Sequence, residues 1–552
     1  MKKIFSIYLL FPFLINTCCS QTSFYTRFVI QLKDKNNNPY SIYNPSQYLS
    51  QKSIERRNKQ NIIIDQTDIP ITPMYLDSIR STGVTVLNYS KWLNTVSIYT
   101  TDSLALIKIT NFPFVLSFAE IAKKNKPKSV STEFKKTFQM NSYLSETSTD
   151  EYGLAARQIE MINGTGLHQK GFAGQDMLIA VFDAGFRNAD THPVFSKINS
   201  EGRVVASRNF VSGGNNVINS SNHGTQCYSV IGAYYPNKMI GTAPFANFIL
   251  CVSEENDAEY PIEEYNWVAA AEYADSLGVD VISSSVGYTT FDSAVFNHTY
   301  TDMNGITNAG SRGANFASQK GIIVCNSAGN SGDKPWKYIS SPADASDIIT
   351  VGAVDTYETY AAFSSQGPTA DGRVKPDVCA QGKATVVANA SNGDITTSNG
   401  TSFSCPIITG MTACLWQAHP DKTNLQIIEA IRKSSDRYTN PNNLYGYGIP
   451  DFTLADFILS NVDYNNINID SKPIAFPNPF SQNISITYNS SIDTKAKILV
   501  YDMIGKLISD STYVISKGYN QIVPTNDFMS KGIYTIIFFN DSDTYSLKVL
   551  KQ

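Results

Sequence analysis

The chain has 552 residues, 42% hydrophobic and 17% charged, with a formal net charge of −4. That length exceeds one ordinary domain and accommodates two or three. The composition is globular, and with no strongly basic domain or stripe it argues against a nucleic-acid binder.

At the N-terminus, Lys2 and Lys3 precede an apolar run over 4–15, followed by Thr17, Cys18, Cys19 and Ser20. This pattern predicts a secretory signal peptide over 1–20, too short to cross a bilayer as a helix. Cleavage is expected between Ser20 and Gln21, and Asn16 and Thr17 before the cysteines fit a lipoprotein signal poorly. No other apolar run reaches spanning length, so no transmembrane segment is expected. Residues 24–32 read as a strand, 47–60 (rich in Lys and Arg) and 75–81 as helices, and 84–89 and 95–99 as strands. A short helix over 102–109 and a strand over 115–119 complete a small α+β unit. Residues 121–149 carry Lys123, Lys124, Lys126, Lys128, Lys135 and Lys136 among many Ser and Thr, and read as an exposed, cleavable linker.

The next unit, placed at 150–457, holds the chemistry. Met177 to Phe182 is a continuous apolar run, as a strand buried on both faces requires, and Asp183 ends it. Parallel strands present functional groups at their carboxyl ends, although a lone Asp before Ala184-Gly185 is more often a turn former. Of the five histidines, His168 and His419 lie in amphipathic stretches suited to helix surfaces, His192 precedes Pro193, and His298 sits among polar residues. His223, in Asn222-His223-Gly224-Thr225, opens a small and apolar helical run. Further on, Gly400-Thr401-Ser402 leads into an apolar run over 407–416 that reads as a buried helix. Pro406 is expected in its first turn, where a missing amide costs nothing. Ser402 then stands beside unpaired amides and the positive end of the helix dipole, a good address for a nucleophile that creates an oxyanion. By itself it would be an N-cap serine. With His223 and Asp183 upstream it completes a nucleophile, a base and a group to orient the base.

Residues 458–473 are a polar linker containing Asn461, Asp463, Asn465, Asn466, Asn468 and Asp470. Beyond it, 474–552 shows short strands at regular spacing (484–488, 496–501, 505–509, 520–523, 532–539 and 545–550), which predicts a small β-sandwich. Six of the eight cysteines lie in the central unit, at 227, 251, 325, 379, 405 and 414, with spacings of no recognised disulfide or zinc framework. Buried free thiols are the expectation.

The order Asp183, His223, Ser402 is that of the subtilisin branch of serine hydrolases. Ile179 to Gly185, Asn222 to Thr225, and Gly400-Thr401-Ser402 with Pro406 resemble the three motifs of the subtilisin-like (subtilase) serine endopeptidases. The resemblance implies an α/β fold with a subtilisin-like parallel-sheet catalytic domain. It implies that Asn330, following Ala328-Gly329, is the oxyanion-hole donor, and that nearby Asn326 is not. It also implies that backbone groups around Ser285 and Gly287 pair with extended substrate, and that the wall over 336–343 shapes the pocket for the side chain before the scissile bond. Phe403, Gln381 and Cys405 depart from residues common in the family without touching proton transfer. No cofactor or catalytic metal is implied; structural calcium is compatible with the family, but no aspartate cluster has a calcium-loop pattern.

By the same resemblance, 21–149 is an inhibitory propeptide with its linker, removed by self-cleavage; the alternative is an unrelated domain that stays attached. The Pro477-Asn478-Pro479 entry, the segment 500–505, Gly532-Ile533-Tyr534 and the basic terminus resemble the C-terminal sorting domain of the Bacteroidetes type IX secretion system. A carbohydrate- or protein-binding sandwich is the alternative there. The implied partners are protein or peptide substrates, the chain's own propeptide and the type IX machinery, with secretion or cell-surface display. The rival to an enzyme is a non-catalytic adhesin or binding protein on the same scaffold.

Overall fold

The structure is a computed structural model that describes residues 25–123, 151–460 and most of 473–552. The signal segment 1–20, nearly all of the linker over 121–149 and the linker residues 461–472 lie outside the described residues.

The N-terminal unit is an antiparallel sheet in the order Thr85–Ser90, Thr95–Tyr99, Tyr25–Leu32, Val115–Lys123. Helices Pro73–Arg80 and Ser103–Thr110 cover one face, closing a core of Phe28, Ile30, Ile79, Val96, Ile98 and Ile109. Asp102 starts the second helix by accepting the Leu104 amide, an ordinary N-cap. The helix expected over 47–60 is shorter, Gln51–Lys59. Pro45–Gln47 forms a separate 3-10 turn, and Ser50 caps the helix by accepting from the Ser53 amide.

That helix faces the central unit and carries a buried ionic clasp. Asp275, fully buried on helix Ile262–Leu277, accepts Arg56 Nη2 at 2.6 Å, Arg57 Nη2 at 2.9 Å and Lys91 Nζ at 3.1 Å. In the opposite sense, Lys320 of the central unit donates to Asp68 at 2.9 Å. Glu272, one turn before Asp275, accepts the Lys91 and Trp92 amides at 2.8 and 2.9 Å. Burial alone would raise the Asp275 pKa, but Lys91, Arg57 and Arg56 outweigh it and hold the carboxyl well below its usual range. A second contact sets Val29, Ile121 and Ala122 against Ala258, Tyr260 and Ile262, with Arg27 paired to Glu255 beside them.

The central unit is built on a seven-stranded parallel sheet. Its order is Val378–Gln381, Ile349–Val354, Ile323–Ser327, Val281–Ser284, Leu178–Asp183, Asn247–Val252, Val204–Asn209. Helices His223–Gly232 and Thr401–Ala418 pack on one face and Ile262–Leu277 and Ala309–Gln319 on the other, which is why the inner strands are buried on both faces and mostly apolar, with Ser283, Ser284, Asn326, Ser327 and Thr350 as their buried polar residues. Leu178–Asp183 is first in the chain yet lies inside the sheet, so later strands add on both of its sides. Its carboxyl end is therefore a topological switch point, where open α/β sheets leave a crevice for ligands. Helix Phe452–Ser460 packs back on this unit, burying Phe452 and Ala455 in its core.

Residues from 474 onward form two antiparallel sheets. One is Ile474–Phe476, Ser485–Ser490 and Gly518–Ile522; the other is Leu507–Ile515, Thr494–Tyr501, Gly532–Phe539 and Thr544–Lys551. Ile486, Ala496, Ile498, Val500, Ile522, Ile536 and Phe538 share one core between them, a β-sandwich as the strand spacing predicts. The strand expected over 505–509 runs on to Ile515, because its ladder with Thr494–Tyr501 continues that far.

Candidate active site

Asp183 is the last residue of its strand and fully buried, and both carboxylate oxygens lie 2.9 Å from His223 Nδ1. One oxygen also accepts the Ala184 amide at 2.8 Å. His223 is the first residue of helix His223–Gly232, and the following glycine lets that helix end approach the strand end. A Cβ on Gly224 would stand 2.4 Å from the Gly185 carbonyl oxygen and 2.9 Å from Asp183 Cβ. Gly185 is likewise confined, at φ +148° with Asn219 Oδ1 1.8 Å from where its Cβ would be.

The imidazole side chain is 39% exposed, so one ring nitrogen is held by the carboxylate while the ring edge remains open. Desolvation pushes the imidazole pKa down, but the Asp183 carboxylate outweighs it and holds the ring well above its ordinary value. Cys227, one helical turn on, packs beneath the ring with Sγ 3.8 Å from Nδ1. Asp183, His223 and Cys227 have donor atoms within 4.8 Å of one another, the arrangement among the described residues that could reach a metal ion. The Asp183–His223 bond already occupies two of those groups.

Ser402 is the second residue of helix Thr401–Ala418 and 6% exposed. It comes beside His223 through two neighbours. The Phe403 ring lies 5.7 Å from the imidazole, and Cys227 Sγ donates to the Ser402 carbonyl at 3.3 Å. A direct bond from Ser402 Oγ to the imidazole is not among the contacts of the described residues. Catalytic hydrogen bonds are often long before substrate binds.

Pro406 is not in the first turn of its helix, as expected from the sequence, but five residues inside it. A proline there removes the amide that would have bonded the carbonyl four residues back. That carbonyl belongs to Ser402, and Ser285 Oγ takes it over at 2.9 Å alongside the Cys227 thiol. The proline thus frees an acceptor with which two other elements fasten the serine turn.

Asn330 is exposed at the turn after strand Ile323–Ser327. Its Oδ1 accepts from the Thr401 amide at 2.9 Å and from the Thr401 hydroxyl at 3.1 Å. With the carbonyl end spent on Thr401, the amino end is presented on the other side. Asn326, by contrast, is fully buried and donates to the Val286 and Ser327 carbonyls. Gly287 is exposed at the end of the run that follows Val281–Ser284, while the Ser285 side chain serves the Ser402 carbonyl.

Two of the other histidines are held by hydrogen bonds within the fold. His168 lies between the Tyr152 hydroxyl, 2.8 Å away, and the Thr242 carbonyl, 3.0 Å away. His419 is buried rather than on a helix surface, with Nε2 2.8 Å from Asp456. Sequence reasoning missed Cys227 and Thr401. The signal for Cys227 was its position four residues after His223 on a helix, which stacks the two side chains on one face.

Comparison with known proteins agrees in all three parts of the chain. Residues 27–137 match the peptidase S8 propeptide domain of Bacteroidota, 174–448 the Subtilase family, and 474–552 the secretion system C-terminal sorting domain. Serine protease AprX of Bacillus subtilis (strain 168) is 29% identical over 304 residues, 50% of this chain and 65% of that protein. The thermophilic serine proteinase of Bacillus sp. (strain AK1) is 28% identical over 281 residues, 50% of this chain and 61% of that protein. Subtilisin E of Bacillus subtilis (strain 168) is 28% identical over 294 residues, 53% of this chain and 68% of that protein. The chain thus spans less than two thirds of the length of the first two relatives. Among solved structures, MycP1 from Mycobacterium smegmatis aligns with TM-score 0.44 and 21% identity over 57% of this chain and 86% of its own. No helix among the described residues is long and apolar enough to cross a membrane.

Proposed function

We propose, from the membership of residues 174–448 in the subtilase family, that this chain is a serine endopeptidase made as an inhibited precursor. Asp183, His223 and Ser402 are its triad. The observation that carries the reading is the bond of Asp183 to His223 Nδ1, 2.9 Å from each carboxylate oxygen. It fixes the tautomer with the proton on Nδ1 and leaves Nε2 as the base for a nearby hydroxyl.

Ser402 Oγ attacks the scissile carbonyl while His223 Nε2 takes its proton, and Asp183 stabilises the resulting imidazolium. The oxyanion is held by the amino end of Asn330 and by the amide of Ser402, which belongs to a first helical turn. The imidazolium then protonates the leaving amine as the C–N bond breaks, leaving an acyl ester on Ser402. Water attacks that ester with the same base, and the acid and free Ser402 are regenerated. Substrate lies extended along the run around Ser285 and Gly287, added as a strand, with Gly287 as its exposed end.

The match over 27–137 supports residues 21–149 as the propeptide with its linker, and the clasp on Asp275 supports its tight docking before cleavage. The protein is secreted or displayed at the cell surface, in keeping with its C-terminal sorting domain. The type IX machinery is the partner that reads that domain. Substrate hydrolysis and fluorophosphonate labelling of purified protein test the enzyme. Wild type should label and cleave peptides, and Ser402→Ala should do neither while remaining folded. A wild-type protein that takes no label would make the chain a non-catalytic binding protein on this scaffold.

A further inference from the structure

Two sheets packed face to face leave edge strands, and an uncovered edge is a row of unpaired backbone donors and acceptors that another strand can join. In residues 474–552 the edges are Thr544–Lys551 and Leu507–Ile515 of one sheet and Ile474–Phe476 and Gly518–Ile522 of the other. They are not treated alike.

The Thr544–Lys551 edge is covered from within the domain. The Asn478 side chain donates to the Lys548 carbonyl at 2.8 Å and accepts the Leu550 amide at 2.9 Å, as a neighbouring strand would. Phe480 continues the cover: its amide donates to the Leu550 carbonyl at 2.9 Å, and its carbonyl accepts the Gln552 amide at 2.8 Å. Ile474–Phe476 is three residues long and bracketed in the chain by Pro473 and Pro477. Gly518–Ile522 is five long, with Pro524 two residues beyond it. Short edges bounded by proline are poor templates for a further strand.

Leu507–Ile515 has none of these protections. It is nine residues long and free of proline, and its ladder with Thr494–Tyr501 is its only pairing among the described residues. Its one charge, Asp510, is spent on Lys497 of that neighbouring strand, 3.0 Å away. Large apolar side chains are exposed along it, Leu507 at 45% and Val514 at 79%. The turn leading into it adds Met503 at 74% and Ile504 at 88%. A long, open, apolar edge invites aggregation unless a partner uses it.

We infer that Leu507–Ile515 is the docking edge of this domain, to which a protein of the secretion machinery adds an extended segment as a fifth strand. Apolar side chains of that segment cover Met503, Ile504, Leu507 and Val514. The occupant follows from the kind of unit: residues 474–552 match a secretion system C-terminal sorting domain, whose work is to be held by that machinery. The inference rests on the sorting-domain reading and names the surface that reading uses.

The test is release of the full chain from its native host, followed by immunoblot of medium and periplasm. Lysine on an edge keeps other strands away, so Leu507→Lys combined with Val514→Lys should cut release by about tenfold or more. Both positions are exposed, so residues 474–552 should resist limited proteolysis as in wild type. Thr544→Lys with Ser546→Lys, on the covered edge strand, should leave release unchanged. Neighbouring amides of an antiparallel strand point to opposite sides, so of Ser511→Pro and Thr512→Pro one breaks the internal ladder and the other only the outer edge. The one that stays folded should also be held in the periplasm. Normal release of the lysine pair or of the folded proline variant would overturn the inference and leave the sorting reading intact. A wild-type dimer on gel filtration that the lysine pair dissolves, with release unaffected, would give the edge to a second copy instead. Normal release without residues 474–552 would overturn both readings.

Discussion

His223 sits between two opposed influences. Desolvation favours its neutral form and the Asp183 carboxylate favours its charged form, with the carboxylate prevailing. On the proposed mechanism only the neutral ring can accept the Ser402 proton, so activity should be lost as pH falls through a value above the ordinary histidine pKa of about 6.5. Asp183→Asn removes the raising influence and leaves desolvation. The acid limb of kcat/KM against pH should then move to lower pH while kcat drops by about 10⁴. An unmoved limb would mean that another group controls it. On the proposed mechanism, Asn330→Ala should lower kcat by about a hundredfold or more and change KM little, because its donor would face charge present only in the transition state. At this scale the sequence was most readable where a residue's neighbours in the chain are also its neighbours in space: Asp183 at a strand end, His223 and Ser402 at helix starts. It was least readable for Pro406, whose purpose depends on Ser285, 121 residues upstream, reaching the Ser402 carbonyl.

Between elements, a buried ionic contact joins helix Gln51–Lys59 and Lys91 to helix Ile262–Leu277. Breaking a buried ion pair from one side strands the other charges, at a cost of about 3–5 kcal/mol. Asp275→Ala should therefore weaken binding of a separate 21–123 fragment to the mature enzyme by about a hundredfold or more, measured by inhibition. Affinity unchanged by that substitution would show that the apolar contact at Tyr260 carries the docking. The pH behaviour follows from the direction of the shift. A depressed carboxyl contributes stability above its unfolded pKa and loses it only as pH falls through the lower folded value. Mild acid should consequently not free the cleaved propeptide, which gel filtration at pH 5 would reveal by co-elution. The propeptide strands and helices could be read from alternation and caps. The clasp could not, since Arg56 and Arg57 look like ordinary basic residues of a surface helix until a partner helix covers them.

For the whole molecule, the sandwich keeps a core made only from its own residues, from Phe480 to Val549. Removing 474–552 should leave a folded and active protease that reaches the periplasm of its host but is not released, as assays of medium and periplasm would show. Normal release would favour a binding module instead. This three-part organisation could be read from composition shifts and strand spacing, because each part closes its own core. The six thiols of the central unit are all buried and unpaired among the described residues, and burial lifts Cys325 to about 12. Such thiols react as thiolates, so in the native state they are inert. Before the core closes they are six exposed thiols in an oxidising compartment, where every pairing would be a wrong one. The route of export thus sets a race between collapse and oxidation, and it is closure of the core around all six thiols that ends it.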